Sequence, residues 1–279
     1  MAGSLWKTTY VEGSPRVCVD VAGEGPLLVF LHGIGGNRLS WHLQLPEFSK
    51  EFTAVAWDAR GYGGSDDYDG ELNFSDFSHD LERLLNHYGA QKAHICGTSM
   101  GGRIAQDFMA LYPDRVATLI LCDTFAGDDE NDARASRTQT IDEFVESRIR
   151  PFLDGAAPVE LARKRGGRLM APEHSEDARR RAIEASSQLH VESYIKTVRA
   201  SAAFSRIDNL AKINVPTLLL FGEQDPLTPP TVADYMMEKI SGAELVVIDK
   251  AGHMPYLEQP DAFNSAVLKF LMQYRDLAD

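Results

Sequence analysis

Short apolar runs separated by longer, more polar stretches organise this chain. Residues 17–21, 27–31, 53–57, 93–96, 118–122, 217–221 and 244–248 are brief runs with few polar interruptions. Runs this short, apolar on both faces, predict parallel strands covered by helices. Gly23-Glu24-Gly25-Pro26 after the first has the composition of a hairpin-type loop. Between the runs, residues 77–88 and 103–112 space their apolar positions three and four apart, which predicts helices, and Pro113 closes the second. Alternating β and α elements predict an α/β fold with an open, mainly parallel sheet. In such sheets the functional residues gather at the carboxyl ends of the strands.

The pattern changes between residues 126 and 206. No strand-like run occurs there, and a helical pattern rich in Arg, Lys, Glu and Ala takes over. Pro151, Pro158, Gly166-Gly167 and Pro172 divide it into short helices. The expected organisation is a core of residues 1–125 and 207–279, with 126–206 inserted as a helical cap over the active face. Charge separates the two parts. The cap holds 14 basic and 14 acidic residues, and the remainder holds 14 basic and 27 acidic, which carries the whole net charge of -13.

Composition narrows the partners. A chain of 279 residues, 44% hydrophobic and 25% charged, suits one large α/β domain with an insertion. The acidic balance argues against nucleic acid or an anionic membrane as partner, and no apolar run approaches the ~20 residues that span a bilayer. Residues 1–10 carry no apolar signal core. Cys18, Cys96 and Cys122 lie inside strand-like runs, an odd set without motif spacing, so reduced thiols in the cytoplasm are expected. The expected partner is a small molecule, with a homo-oligomer left open.

Chemistry enters with Gly97-Thr98-Ser99-Met100-Gly101, which joins a strand-like run to a helix-like one. A serine at so tight a turn is presented as a nucleophile, and glycines two residues either side prevent a collision. Gly-x-Ser-x-Gly alone arises by chance in about one chain in ten of this length; its strand–turn–helix setting adds the weight. The base must be a histidine. Of eight, His253 stands out, in a glycine-bounded loop after the last strand; His94 lies inside a strand, and His79 and His87 on a helix face. The acid is expected to be Asp225, in the loop after 217–221, with Asp123 as its rival at the end of 118–122. The order Ser99, Asp225, His253 differs from the chymotrypsin and subtilisin orders. Two N–H groups must face the developing oxyanion. Met100, at a helix N-terminus, and Ile34, in His32-Gly33-Ile34-Gly35-Gly36, are the candidates, with His32 bracing that loop.

With these residues placed, the chain resembles the α/β-hydrolase superfamily over nearly its whole length. The resemblance rests on His32-Gly33, Asp58-Ala59-Arg60-Gly61-Tyr62-Gly63-Gly64-Ser65, the elbow, residues 221–230 and Gly252-His253. Within it the chain is most similar to the 3-oxoadipate enol-lactonase group, through Ser-Met-Gly-Gly at the elbow, residues 194–202, Asn214-Val215-Pro216-Thr217 and the turn at 225–230. The resemblance implies an α/β-hydrolase fold and opening of a carboxylate-bearing lactone without metal or cofactor. It weakens over 126–190. Esterases and cofactor-free perhydrolases share the elbow. The C–C hydrolases of meta-cleavage products are neighbours too, although their proline after His-Gly is missing from Gly35-Gly36-Asn37. Dehalogenases and epoxide hydrolases need a carboxylate where Ser99 stands. A hydrolase-fold receptor for a small lactone is the non-enzymatic alternative.

A neutral cap over an acidic body hints at an acidic substrate, clamped by arginine. Arg134, Arg137, Arg148 and Arg150 are the candidates nearest the cap entrance, although Glu146 and Arg150 also have the spacing of an ordinary i,i+4 pair. Trp41 is a further candidate substrate contact.

Overall fold

The computed structural model describes residues 5–127, 140–202 and 204–278. Its strands are β1 (Lys7–Val11), β2 (Val17–Ala22), β3 (Leu27–Leu31), β4 (Thr53–Trp57), β5 (Ala93–Thr98), β6 (Val116–Cys122), β7 (Thr217–Gly222) and β8 (Glu244–Ile248). They form one sheet in the order β1-β2-β4-β3-β5-β6-β7-β8. From β4 to β8 every pairing is parallel.

The α/β-hydrolase fold expected from the motifs is present, with two differences at one edge. Residues 17–21, read as a parallel strand, pair antiparallel with both neighbours. Strand β1 was not expected, because Lys7-Thr8-Thr9-Tyr10 lies mostly exposed at the sheet margin and needs little apolar surface. At the opposite margin, β8 is a half-exposed edge strand rather than a covered one, with Val247 39% exposed.

The interior strands explain their own sequence. Successive side chains of a strand point to opposite faces. Leu27, Val29 and Leu31 of β3 enter a core shared with helices α2 (Asp76–His87) and α3 (Met100–Leu111). Leu28 and Phe30 enter the other core, with α1 (Leu45–Phe48). Both faces are buried, so the run has no polar alternation.

Trp41 is corrected by its surroundings. It lies in a short 3-10 turn, fully buried, with its ring 5.0 Å from Phe30, 4.7 Å from Tyr256 and 6.1 Å from Phe263. Apolar rings of the sheet and the C-terminal helices enclose it, so it packs the core instead of meeting substrate.

Between β6 and β7 the chain adds α4 (Ile141–Leu153), α5 (Pro158–Arg165), α6 (Glu176–Ser187) and α7 (Val191–Ala202). Helix α4 opens with a reciprocal cap: Thr140 Oγ1 accepts from Glu143 N at 3.2 Å, and Glu143 Oε2 accepts from Thr140 N at 2.8 Å. Ile149, Tyr194 and Val198 form a small core of the cap, and Ile34 packs against it from below. After β7 come α8 (Pro230–Lys239), α9 (Pro255–Glu258) and α10 (Pro260–Leu271).

Polar bonds fix the cap to the core. Asn37 Nδ2 donates to Ala185 O at 3.1 Å, and Ser193 Oγ donates to Asp67 at 2.6 Å. The buried Glu258 carboxylate accepts three backbone N–H groups: Ala171 of the cap at 2.7 Å, and Gly252 and Met254 of the loop after β8 at 2.9 and 3.0 Å. His253 N in turn donates to Leu169 O at 2.7 Å.

Candidate active site

Strand order changes direction between β3 and β5, the place where an open α/β sheet leaves a crevice. Ser99 follows β5 and Ile34 follows β3, so both stand at that crevice. Ser99 has φ 52° and ψ -113°, a strained backbone for a residue with a side chain. Its N–H donates to Cys122 O at 2.9 Å, and Thr124 Oγ1 donates to its carbonyl at 2.7 Å. The glycines leave no room for substitution. A Cβ on Gly97 would lie 2.3 Å from Gly101 O, and one on Gly101 would lie 2.2 Å from Leu31 O. Backbone occupies both places, so the turn closes only with glycine there.

The loops after β7 and β8 bring Asp225 and His253 together. Asp225 Oδ2 and His253 Nδ1 are 2.7 Å apart, and both residues are buried. Leu227 N–H donates to Asp225 Oδ1 at 2.7 Å, and Thr228 Oγ1 donates to Oδ2. Burial pushes the Asp225 carboxyl up, but the His253 charge and these hydrogen bonds outweigh it and hold the group below the usual carboxylate range. Such a carboxylate fixes the imidazole's orientation and favours its cationic form.

Ile34 and Met100, the candidate oxyanion donors, line one cavity with Ser99. Met100 is the first residue of α3, where N–H groups have no intrahelical acceptor. His32 braces the Ile34 loop. Its Nε2 accepts from Ala59 N at 3.0 Å, which places the proton on Nδ1, 2.8 Å from Gly33 O. Burial lowers its pKa and keeps it neutral.

The cavity, about 70 Å³, has walls from both parts of the chain. Leu227, two residues past the acid, reaches it from the β7 loop, and Phe144, Arg148, Tyr194 and Val198 face it from the cap. Arg148 is thus brought to Ser99, its guanidinium 5.2 Å from the centre of the Phe144 ring. Arg150 is not; it pairs with Glu146 on the exposed side of α4. Arg134 and Arg137 lie outside the described residues.

Arg103 also lines the cavity, and sequence reasoning missed it. It stands one turn past Ser99 on α3 and is only 7% exposed. Its guanidinium sits 5.5, 4.6 and 5.2 Å from the centres of the Phe74, Phe125 and Phe204 rings and donates to Phe204 O. The signal was available: Arg103 is the one cation in Met100–Leu111, a helix otherwise read as amphipathic packing.

Asp123 reaches the same place from the end of β6. Its donor atoms and those of Asp225 and His253 lie within 4.8 Å of one another. Three such groups could hold a metal in principle, but their atoms are bonded to each other and to backbone: His253 Nδ1 to Asp225, and Asp123 Oδ1 to Gly222 N–H at 2.8 Å.

Known proteins bear out the resemblance. The chain is 29% identical over 245 residues to 3-oxoadipate enol-lactonase 2 of Acinetobacter baylyi, covering 87% of each chain. It is 25% identical over 259 residues to a putative carbamate hydrolase of Pseudomonas savastanoi, covering 89% of this chain and 94% of that one. Among solved structures, a thermophilic esterase from Thermogutta terrifontis superposes with a TM-score of 0.85 at 27% identity, over 96% of this chain and 99% of the other. The profile of the alpha/beta hydrolase fold matches residues 26–260. Over the sheet, the elbow and the loops that carry Asp225 and His253, the chain belongs to the alpha/beta hydrolase fold family.

Proposed function

We propose that this chain hydrolyses a carboxylic ester or lactone of a small molecule that bears a free carboxylate, through Ser99, His253 and Asp225 and an acyl-enzyme. Hydrolysis of an ester-type bond is in keeping with the enol-lactonase and esterase activities named for its relatives. His253 takes the Ser99 proton as the oxygen attacks the carbonyl. The N–H groups of Ile34 and Met100 hold the oxyanion. His253 returns the proton to the leaving alcohol or enol, then activates the water that frees the acid. An enol is a good leaving group and asks little of the acid step.

One observation carries the carboxylate: two arginines, Arg103 and Arg148, face the cavity that Ser99 opens into. In a pocket otherwise lined mainly by apolar side chains, a guanidinium is the natural partner of a carboxylate. The Thermogutta esterase structure holds malate, a small dicarboxylate, which is in keeping with that partner. The three free, buried cysteines suit a reducing compartment such as the cytoplasm.

The test compares an ester bearing a free carboxylate with the same molecule capped as its methyl ester. The reading expects kcat/KM to fall on capping in the wild type, and the difference to shrink in Arg103→Met. Equal turnover of both by the wild type would remove the carboxylate from the proposal, and turnover by Ser99→Ala would remove the nucleophile.

A further inference from the structure

Asp123 is a buried carboxyl that the proposed cycle does not use. It is wholly buried at the end of β6, with φ 42°, a left-handed backbone uncommon in a residue other than glycine. Its N–H donates to Leu220 O at 3.0 Å, and its Oδ1 accepts from Gly222 N at 2.8 Å, so both β7 contacts hold it in place. That placement directs the carboxyl at the Asp225–His253 pair, whose side-chain ligand atoms lie within 4.8 Å of its own. Strain held at such a position suggests a role beyond packing.

Two carboxylates this close repel each other unless one carries a proton. The groups facing Asp123 are the Cys122 thiol, 3.1 Å from Oδ2, the Asp225–His253 pair, and Tyr256 from α9. The His253 imidazole of this cluster is bonded to Asp225. Asp225 also takes the Leu227 and Thr228 donors and is therefore the partner that ionises.

We propose that Asp123 is a neutral carboxylic acid that donates a hydrogen bond to Asp225, making it a positioning residue for the acid of the catalytic pair. With Oδ1 accepting from Gly222, the proton sits on Oδ2. Burial, then the Asp225 charge, raise the Asp123 pKa well above the usual carboxylate range, in the direction this role needs. The bond adds a donor to the Asp225 carboxylate beside those of Leu227 and Thr228, so the imidazole it orients stays aligned through the cycle. The inference rests on the hydrolase reading above, because positioning has meaning only if His253 is the base.

Three variants test it together. Asp123→Asn keeps a neutral donor of the same shape, and Asp123→Leu keeps the volume and removes the donor. Asp123→Leu is expected to lower kcat about tenfold to a hundredfold with KM unchanged, and Asp123→Asn to recover most of that loss. Infrared difference spectra of wild type minus Asp123→Asn at neutral pH should show the C=O stretch of a protonated carboxyl. The infrared result stands even if Asp123→Leu does not fold. A carboxylate band in its place, or Asp123→Asn losing as much kcat as Asp123→Leu, overturns the proposal. Ser99→Ala separates the two levels: if it stays active, the hydrolase reading fails, and if it is dead while Asp123→Leu keeps full kcat, only the positioning role fails.

Discussion

The ends of the core strands and the cap face one cavity, but they are built differently. At the strand ends, backbone groups and neighbouring threonine hydroxyls hold Ser99 and Asp225. Ser99 is held by Cys122 and Thr124, Asp225 by Leu227 and Thr228, and a Cβ on either elbow glycine would lie 2.2–2.3 Å from other backbone. On the cap, side chains alone meet the cavity: Phe144, Arg148 and Tyr194 reach it from helices whose other faces are solvated. On the proposed reading, the chemistry rests on a turn where Gly97 and Gly101 admit no side chain. The choice of substrate rests on a few side chains that can change without disturbing the sheet.

Ser99→Ala should sharpen this contrast most, lowering kcat for an activated ester by roughly a millionfold while the far-ultraviolet circular dichroism stays unchanged. Asp225→Asn should cost on the order of ten-thousandfold in kcat, read in the same assay, because the imidazole loses the partner that sets its tautomer. Gly101→Ala attacks the elbow through backbone. Its Cβ overlaps Leu31 O, so stability should fall by about 3 kcal/mol in urea unfolding, with activity falling alongside. A neutral result there would break the claim that backbone closes this turn. Arg103→Met should raise KM for a carboxylate-bearing ester about tenfold to a hundredfold and leave its neutral analogue alone, and Arg148→Ala should do the same more weakly. If cap substitutions changed kcat for the neutral ester as much as Asp225→Asn, the division of labour would fail.

A further effect lies in pH. The Asp225 carboxyl is held low, so the stability it contributes is present above the ordinary aspartate range and is lost as pH falls through its folded value. Asp123 is raised, so folded protein keeps a proton that unfolded chain releases, and stability declines as pH rises above about 3.9 by up to about 1.4 kcal/mol per unit. Melting temperatures of wild type and Asp123→Asn should therefore diverge as pH rises from 4 toward neutrality, with the variant the more stable. Parallel curves would contradict a protonated Asp123.

Much of this was legible in the chain, for reasons that differ residue by residue. Ser99, Asp225 and His253 follow short apolar runs, and a sheet buried on both faces leaves few other readings for such runs. Strand β1 was illegible because an exposed edge has no hydrophobic period to display. The direction of β2 was hidden because burial on both faces looks the same for either pairing. Trp41 misled because an aromatic near a glycine-rich loop is compatible with either a pocket or a core, and only the rings of Phe30 and Tyr256 decide between them. Arg103 was missed because helical spacing records which face a residue occupies and says nothing about the cavity beyond that face. The Asp123–Asp225 contact depends on register between β6 and β7, which no local pattern encodes.

Glu258 gives the cap a property that matters for anyone who would exchange it. Its carboxylate ties Ala171 of the insertion to the backbone on either side of His253, and Leu169 receives the N–H of His253. The insertion is thus not a detachable module. A chimera that imports specificity on foreign versions of α4 and α7 has to retain residues 169–171 from the host, or the graft will unseat the histidine while the sheet beneath it stays intact.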